Sequence, residues 1–356
     1  MRGEHRTPAA LAAYRVVDLS DSVGGQFCAR LFADMGADVT LAEPAGGSAT
    51  RRMEPFDRRG RSLQFFHLNY NKKILALSET GDEVDGLLRA ADVVVTSGGF
   101  DERRALALDP DVVLVQVTPF GTDGPLRHWK APEIVLQALS GMMNSNGTPG
   151  REPLYGVGQR ASYAAGVAAY AGALAALYAR NAGAGGQRVA VDAAETAAAM
   201  CFPYVLQYIY NGTDRRRGDQ DIPAGQVMCR DGWVCIWVYN HRFTALCRTL
   251  GLEALIDDPR FADPRERSRN WDAFFALVQE KVADREAQEV VASLQAAQVI
   301  AAKASRPSEL AESPHLAARG YWETIMHDGE PRRVLGPPFR MGLTPRVTSA
   351  VGGAAR

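Results

Sequence analysis

The stretch Tyr14–Glu43 reads YRVVDLSDSVGGQFCARLFADMGADVTLAE, and it decides the fold class. Two runs rich in Val and Leu, Arg15–Leu19 and Asp38–Ala42, have the composition of buried β-strands. Between them, Gln26–Met35 has the character of a helix, and Gly36 stands where a helix C-cap is expected. A strand, a helix and a second strand in this order predict a parallel β-α-β unit.

The same alternation continues through the first third of the chain. Further strand-like runs lie at Ile74–Leu77, Val93–Thr96 and Val112–Thr118, with helical stretches between most of them. The fold class is therefore α/β, with a Rossmann-like parallel sheet in a large domain. Dinucleotide binding is not expected, because Phe27 and Cys28 occupy places where the GxGxxG pattern needs glycine for close phosphate approach.

The regular alternation of strand-like and helical runs ends near Cys201, which predicts a second, smaller α+β domain. An apolar strand at Trp233–Tyr239 is followed by helical segments at Arg242–Leu250, Trp271–Val282 and Arg285–Ala296. We therefore expect a large domain over residues 1–200 and a small domain over 201–322.

The length of the chain and its charge favour a two-domain protein that binds neither nucleic acid nor an acidic membrane surface. A chain of 356 residues with a formal net charge of −1 is long enough for two domains, and its charge points to neither nucleic acid nor an acidic membrane surface. The N-terminus MRGEHRTPAA has no apolar run behind its basic residues, so no signal peptide is expected. The helix at Ser162–Arg180 looks too weakly apolar to span a membrane. A cytoplasmic location follows as an expectation.

The cysteines and histidines predict no disulfide and no metal site. The five cysteines show no CxxC spacing and lie mostly in apolar contexts, which is typical of reduced thiols. The six histidines are scattered, without an HxxxH or HxH pair.

The segment Gly141–Gly166, GMMNSNGTPGREPLYGVGQRASYAAG, resembles without a gap the active-site segment of the family III CoA-transferases. FGTDGP at Phe120–Pro125 is similar to the FGxxGP signature of that family, and further similar blocks follow in the same order as far as Ser313–Gly320. This resemblance runs almost end to end. It implies that the large domain over residues 1–200 is the CoA-binding domain and that the segment 323–356 returns to it. It also implies an interlocked dimer, either a homodimer or a heterodimer with a related CoA-transferase chain.

The resemblance also implies a catalytic aspartate at the position that Ser162 occupies. In the family, that carboxylate attacks an acyl-CoA to give a mixed anhydride, then an enzyme–CoA thioester, and the acceptor carboxylate completes the exchange. A serine would form only an oxygen ester, which is far less activated and could never hold CoA as a thioester. Ser162 is thus a candidate catalytic residue with altered chemistry, or else the N-cap of the helix that follows.

A second candidate catalytic residue is Glu133. The racemase branch of the family carries a histidine before an aspartate at this place, and here the histidine position is Pro132. Glu133 retains the acidic residue of this His-Asp pair. Alone, it could transfer the α-proton of a substrate in one direction of the exchange. Alternatively it is a carboxylate stabilised by the N-terminal dipole of its helix.

Binding of CoA is expected from residues that the family uses for the nucleotide phosphates. Arg51, Arg52, Lys72 and Lys73 match its basic positions, and the early turn at Gly24 and Gly25 is retained in part. A later phosphate-binding arginine of the family falls on glycine here, at position 99. We expect CoA or an acyl-CoA to bind weakly as a substrate, with no tightly bound cofactor. The alternative for the basic residues is ordinary solvated surface.

Three functions therefore remain open from the sequence. The first is an enzyme that acts on an acyl-CoA or related thioester by hydrolysis, isomerisation or transfer through another residue. The second is a non-catalytic subunit whose partner chain supplies the aspartate. The third is a biosynthetic protein that no longer uses CoA.

Overall fold

The computed structural model describes residues 8–77, 83–148, 150–214, 217, 223–327, 329–336, 338–344 and 346–348. The N-terminal segment 1–7 and the last part of the predicted return, 349–356, lie outside the described residues. The strands are β1 (Arg15–Asp18), β2 (Asp38–Glu43), β3 (Lys73–Ala76), β4 (Val93–Thr96), β5 (Val113–Thr118), β6 (Gln187–Asp192), β7 (Ala224–Cys229), β8 (Gly232–Trp237), β9 (Ile300–Lys303), β10 (Trp322–His327) and β11 (Glu330–Leu335).

The helices alternate with these strands in the first part of the chain and cluster in the second. They are α1 (Val23–Asp34), α2 (Leu63–Asn69), α3 (Glu83–Leu88), α4 (Glu102–Leu108), α5 (Glu133–Leu139), α6 (Arg160–Ala179), α7 (Ala193–Met200), α8 (Phe202–Asn211), α9 (Phe243–Leu250), α10 (Pro264–Arg269), α11 (Trp271–Val282), α12 (Ala287–Ala296), α13 (Pro307–Ala311) and α14 (Pro314–Ala318).

A parallel sheet of six strands, in the order β3-β2-β1-β4-β5-β6, forms the centre of the first unit. Val16 of β1 pairs with Val39 on one side and Val93 on the other, so the strand order reverses between β1 and β4. All side chains of β4 and β5 are buried, as expected for a sheet covered by helices on both faces. The prediction of a Rossmann-like parallel sheet is confirmed, and ligands bind such sheets at the carboxyl ends of the strands.

Helix α6 packs against α1, β5 and β6 through small side chains. Ala161, Ala165, Ala169 and Ala173 are fully buried on this contact face. By length and composition alone, the segment Arg160–Ala184 would pass as a membrane-crossing helix, contrary to the expectation from sequence. Its burial against α1 and the sheet is that of a core helix of this fold.

The chain divides into two compact units, Met1–Arg216 together with Arg319–Arg356, and Arg217–Ala318. The first unit includes α8, so the sequence-based boundary at residue 201 falls one helix earlier than the observed one. In the second unit, α9, α11 and α12 cover one face of the antiparallel sheet β7-β8-β9. One antiparallel sheet with separate helices is the α+β arrangement.

The C-terminal segment is bound to the first unit by hydrogen bonds to its backbone. The carbonyl of Leu335 accepts from Arg30 Nη2 at 3.3 Å and from Tyr70 Oη at 2.5 Å. The amide of Val347 donates to Asp34 O at 3.0 Å, and Asn71 Nδ2 donates to Val347 O at 2.9 Å. These bonds place the end of β11 and Val347 beside α1 and the segment after α2.

The cysteines are free thiols in this structure. Four of them are buried: Cys28, Cys201, Cys229 and Cys247. Cys235 differs from the expectation of a core thiol, because alternation along β8 turns its side chain to the exposed face of the sheet.

Candidate active site

Ser162 is the third residue of α6, and the N-cap is Gln159, whose side chain makes no capping bond. The interpretation of Ser162 as an N-cap is therefore wrong. Glu133, the first residue of α5, caps the helix instead. Its Oε1 accepts from the amide of Ala161 at 2.6 Å and its Oε2 accepts from the amide of Ser162 at 3.2 Å. The chain between α5 and α6 folds back so that the Glu133 carboxylate reaches the start of α6. The first turn of α6 has no acidic residue of its own to accept from its free amides.

The hydroxyl of Ser162 completes this contact. Ser162 Oγ donates to Glu133 Oε2 at 2.7 Å, and Gln137 Nε2 donates to Oε1 at 2.9 Å. A carboxylate offers about four acceptor positions, and the two amides, the hydroxyl and the glutamine fill them. With only 6% of its surface exposed, Glu133 has the contacts of a capping group stabilised by the dipole of α6.

Gln137 ties the loop before α6 to α5. Its Nε2 donates to Gly156 O at 3.2 Å and its Oε1 accepts from the Gly156 amide at 3.0 Å. Because the same side chain also bonds to Glu133, the loop, the capping carboxylate and the start of α6 form one connected polar group around Ser162.

Gly24 and Gly25 belong to the first turn of α1 and are buried. A Cβ on Gly24 would lie 2.9 Å from Ser162 O, and a Cβ on Gly166 would lie 2.7 Å from Gly24 O. A Cβ on Gly25 would lie 2.4 Å from Ser20 Cβ. These glycines let the backbones of α1 and α6 approach each other beside Ser162. This packing corrects the expectation that they form an open phosphate-binding turn.

Lys72 lies in the interior and is fully buried. Its Nζ donates to Asp18 Oδ2 at 2.8 Å, to Gln26 O at 2.7 Å and to Asn69 Oδ1 at 2.8 Å. Burial lowers the pKa of this ammonium group, and the Asp18 carboxylate opposes that shift. Because three bonds use all three ammonium hydrogens, Lys72 supports the turn between β1 and α1 and has no donor left for a phosphate. Its assignment as a phosphate contact is corrected accordingly.

The other three predicted basic residues lie at the surface. Arg51 binds Glu43 Oε2 at 2.6 Å through Nη2, and its guanidinium carbon lies 3.8 Å from the ring centre of Phe65. Arg52 is exposed and donates to a backbone carbonyl at 3.5 Å. Lys73 is exposed and pairs with Asp38 at 2.7 Å. Of this predicted set, Arg51 lines a cavity.

That cavity has a volume of about 1060 Å³ and lies in the first unit beside α2 and the hairpin β10–β11. The turn Asp57–Arg61 forms much of its wall. Sequence reasoning missed this turn, although its letters DRRGR give a signal, since three arginines around a glycine form a compact cationic loop.

The described residues contain no group of three or more histidine, cysteine or acidic side chains placed to hold a metal ion.

The comparisons with known proteins agree with this fold over nearly the whole chain. The model of CoA-transferase family III matches residues 11–351. Formyl-CoA:oxalate CoA-transferase of Streptomyces coelicolor is 29% identical over 97% of this chain and 92% of its own. Succinyl-CoA–D-citramalate CoA-transferase of Chloroflexus aurantiacus is 28% identical over 98% and 90%. Succinyl-CoA:(R)-benzylsuccinate CoA-transferase subunit BbsE of Thauera aromatica is 27% identical over 92% and 87%.

A solved structure shares the fold as well. The CaiB/BaiF family protein from Brucella suis superimposes with a TM-score of 0.89 at 24% identity, covering 98% of this chain and 97% of that one.

Proposed function

The chain belongs to CoA-transferase family III, and from this premise we propose that it acts on an acyl-CoA thioester without passing through an aspartyl anhydride. The observation that carries the proposal is the hydrogen bond of 2.7 Å between Ser162 Oγ and Glu133 Oε2 at the start of α6. A hydroxyl stands where the resemblance implies a carboxylate nucleophile. The carboxylate beside it is engaged as a helix cap.

One covalent reaction at Ser162 is consistent with this geometry, and it is a nucleophilic attack of the hydroxyl on the thioester. If the Oγ attacks the thioester carbon, its proton moves to Glu133 Oε2 and the carbon–sulfur bond breaks. The same proton then passes from Glu133 to the CoA thiolate, so that CoA leaves as the thiol and Glu133 is again a carboxylate. The resulting oxygen ester can be hydrolysed, but attack on it by a thiolate to form a thioester, or by a carboxylate to form an anhydride, is uphill. Hydrolysis at Ser162, or isomerisation that spares the thioester, is therefore favoured over transfer.

The experiment is a product survey with the purified full chain. Formyl-CoA and succinyl-CoA are each supplied with and without oxalate or D-citramalate in deuterated buffer, because similar proteins are named for these compounds. Mass spectrometry then follows free CoA, new thioesters and deuterium at the α-carbon. We expect free CoA or deuterium without a new thioester. Ping-pong formation of a new CoA thioester would contradict the proposal.

The Ser162→Ala variant separates the two remaining routes. Loss of CoA release with an intact fold would make Ser162 the nucleophile. Retained turnover would assign the chemistry to another group and leave Ser162 as a partner of Glu133. Absence of CoA binding at millimolar concentration would overturn the whole proposal in favour of a biosynthetic protein that no longer uses CoA.

We propose as a second candidate that the chain works in a dimer, with an identical chain or with a related one that supplies the aspartate. The apolar residues of α8 support this, because five of its large side chains are exposed: Val205, Leu206, Tyr208, Ile209 and Tyr210. Contiguous exposed apolar surface of this kind marks interaction sites. One similar protein, BbsE, is itself named as a subunit. Transfer activity that appears only on co-expression with a related chain would favour this function over the first.

A further inference from the structure

The side-chain amide of Gln137 is held in one orientation by the backbone of Gly156. The Gly156 amide donates to Gln137 Oε1 at 3.0 Å, and Gln137 Nε2 donates to Gly156 O at 3.2 Å. Because a backbone N–H can only donate and a backbone carbonyl can only accept, the oxygen and the nitrogen of this amide cannot exchange places. The buried Nε2 has one further hydrogen, and Gln137 donates it to Glu133 Oε1 at 2.9 Å.

The two oxygens of Glu133 therefore have different kinds of partner. Oε1 accepts from Gln137 Nε2 at 2.9 Å and from the Ala161 amide at 2.6 Å, and both of these groups can only donate. Oε2 accepts from the Ser162 amide at 3.2 Å and from Ser162 Oγ at 2.7 Å. Of these four partners, the hydroxyl alone can also accept. A proton on Glu133 is therefore compatible with Oε2, where it faces Ser162, and not with Oε1, where it would face two donors.

The orientation of the Glu133 carboxylate depends on these partners. The last torsion of a glutamate side chain has broad, roughly two-fold preferences, so the torsion itself does not aim either oxygen. A rotation of less than half a turn would move Oε2 out of line with Ser162 Oγ. Gln137 opposes that rotation, because its own bonds to Gly156 fix the position of the hydrogen that Oε1 accepts.

We propose that Gln137 is a positioning residue for the reaction at Ser162. By donating to Oε1 of Glu133, it reserves that oxygen as an acceptor and directs the Ser162 proton to Oε2. In this step the Oγ–H bond breaks and the Oε2–H bond forms as Oγ bonds to the thioester carbon, and Glu133 becomes a neutral carboxyl group until the proton passes to the CoA thiolate. This role rests on the proposed function, because it concerns the proton that leaves Ser162.

Gly156 gives the loop before α6 a part in this orientation. A Cβ at position 156 would lie 3.1 Å from Gln137 Oε1 and 2.9 Å from Arg160 Nη1, so glycine lets the backbone of the loop approach Gln137. Arg160 Nε donates to Val157 O at 3.2 Å, which holds the residue that follows Gly156. We therefore expect a displacement of this loop to release Glu133 together with Gln137.

The first test is the steady-state release of CoA from succinyl-CoA by the full chain, in the wild type and in Gln137→Met. The variant removes the hydrogen bonds of the side chain and keeps its approximate length. We expect kcat to fall about tenfold or more, with KM within about twofold of the wild type, because orientation of the base acts on the transition state and not on thioester binding. Retained kcat with unchanged circular dichroism would overturn the role of Gln137.

Gln279→Met is the matched control. Gln279 of α11 forms the same pair of bonds with a backbone, since its Oε1 accepts from the Met228 amide at 2.6 Å and its Nε2 donates to Met228 O at 2.8 Å. The control therefore loses two equivalent bonds in the second unit, and its kcat should stay close to that of the wild type. An equal fall of kcat in both variants would assign the effect to general loss of structure and overturn the role.

Gln137→Glu separates donation to Glu133 from attachment of the loop. It keeps an acceptor for the Gly156 amide and can donate to Glu133 only when the new carboxyl group is protonated. Glu133 and Arg160 are charged groups beside it, and both are unchanged from the wild type. The ratio of its kcat to that of the wild type should therefore rise as the pH falls from 8 to 6. A ratio that does not change with pH would reduce Gln137 to a tether of the loop.

Chemical unfolding of Gln137→Met, Ser162→Ala and the double variant tests the contact without turnover. Both residues bond to Glu133, so the loss of stability in the double variant should be smaller than the sum of the two single losses. Additive losses would overturn the role. If no thioester is turned over while the losses are non-additive, the proposed function fails and the positioning of Glu133 by Gln137 stands. If thioesters are turned over and Gln137→Met keeps its kcat, the role of Gln137 fails and the proposed function stands.

Discussion

At the scale of single residues, the site depends on the pair Ser162 and Glu133. Their bond of 2.7 Å joins two helices and places a hydroxyl where the family resemblance implies a carboxylate. A carboxylate at position 162 would lie within about 3 Å of the Glu133 carboxylate, and like charges at that distance raise the pKa of one of the two. The serine therefore does more than remove a nucleophile, because its hydroxyl donates a hydrogen bond to the capping Glu133 side chain, which a second carboxylate would repel.

Ser162→Asp should lower the free energy of unfolding at pH 7 and gain stability relative to the wild type as the pH falls. The folded-state pKa of one carboxyl is raised, so the cost of two charges disappears once that group is protonated. Ser162→Ala should cost about 1.5–3 kcal/mol at both pH values, through loss of a hydrogen bond to a charged group. Urea unfolding at pH 7 and pH 5.5 measures both.

Glu133→Gln added to Ser162→Asp is the matched control, since it removes one of the two charges. The pH dependence of the difference from the wild type should then disappear. If Ser162→Asp is as stable as the wild type at pH 7, the contact between positions 133 and 162 is not as described.

His67 should make the protein sensitive to mild acid. Burial, with the nearby Arg30 guanidinium, lowers the pKa of His67 from 6.5 to about 3. The unfolded chain therefore binds one more proton between those values, so stability is complete above pH 6.5 and falls as the pH drops below it. The loss should reach about 2 kcal/mol at pH 5. His67→Gln should remove this part of the pH dependence in chemical unfolding, and His128→Gln serves as the control.

At the scale of elements, the decisive contact is between α1 and α6. Glycines at positions 24 and 166 bring the two backbones together, and this contact positions Ser162. A glycine inside a helix is otherwise unfavourable by about 1 kcal/mol relative to alanine. Both helices therefore have a lower intrinsic helix propensity at these glycines, and in return their backbones can approach each other closely.

Gly166→Ala should destabilise the protein by about 1–3 kcal/mol, because its Cβ would lie 2.7 Å from Gly24 O and α1 would have to move. Gly86→Ala is the matched change in α3, where a Cβ meets no atom within 4 Å. It should stabilise by about 0.5–1 kcal/mol. Thermal unfolding compares the two variants, and equal effects would show that the α1–α6 contact is looser than described.

Whether a strand could be predicted from the sequence depended on which of its faces are buried. The strands β4 and β5 are covered on both faces, so their continuous Val and Leu runs located them within a residue. The strand β11 has one buried residue, Val334, among five exposed ones, and carries no comparable signal. Family resemblance located Ser162 and Glu133 but not their contact, because a hydrogen bond between residues far apart in sequence requires the fold. The burial of Lys72 was missed for the same reason.

At the scale of the whole molecule, α8 marks where the chain should meet a partner. Tyr210 and Ile209 are 80% and 65% exposed, which is unusual for neighbouring large apolar residues on a helix. An interlocked dimer, as the family resemblance implies, would cover such a helix.

The purified chain should be a dimer by light scattering at micromolar concentration, and Ile209→Asp should weaken the assembly by tenfold or more (about 1.4 kcal/mol). Leu106→Asp is the matched control, because Leu106 is an exposed apolar residue of α4 outside this helix. A stable folded monomer for the wild type, or equal assembly of both variants, would contradict this view of α8.

The central claim, that no anhydride or CoA thioester forms on the enzyme at position 162, is tested most directly by intact-protein mass spectrometry during incubation with succinyl-CoA. Peptide mapping then covers α6. The wild type should show no CoA adduct, and any adduct should be an acyl ester on Ser162. The Ser162→Asp variant should acquire CoA at the substituted position. A CoA thioester trapped on the wild-type chain near α6 would contradict the account.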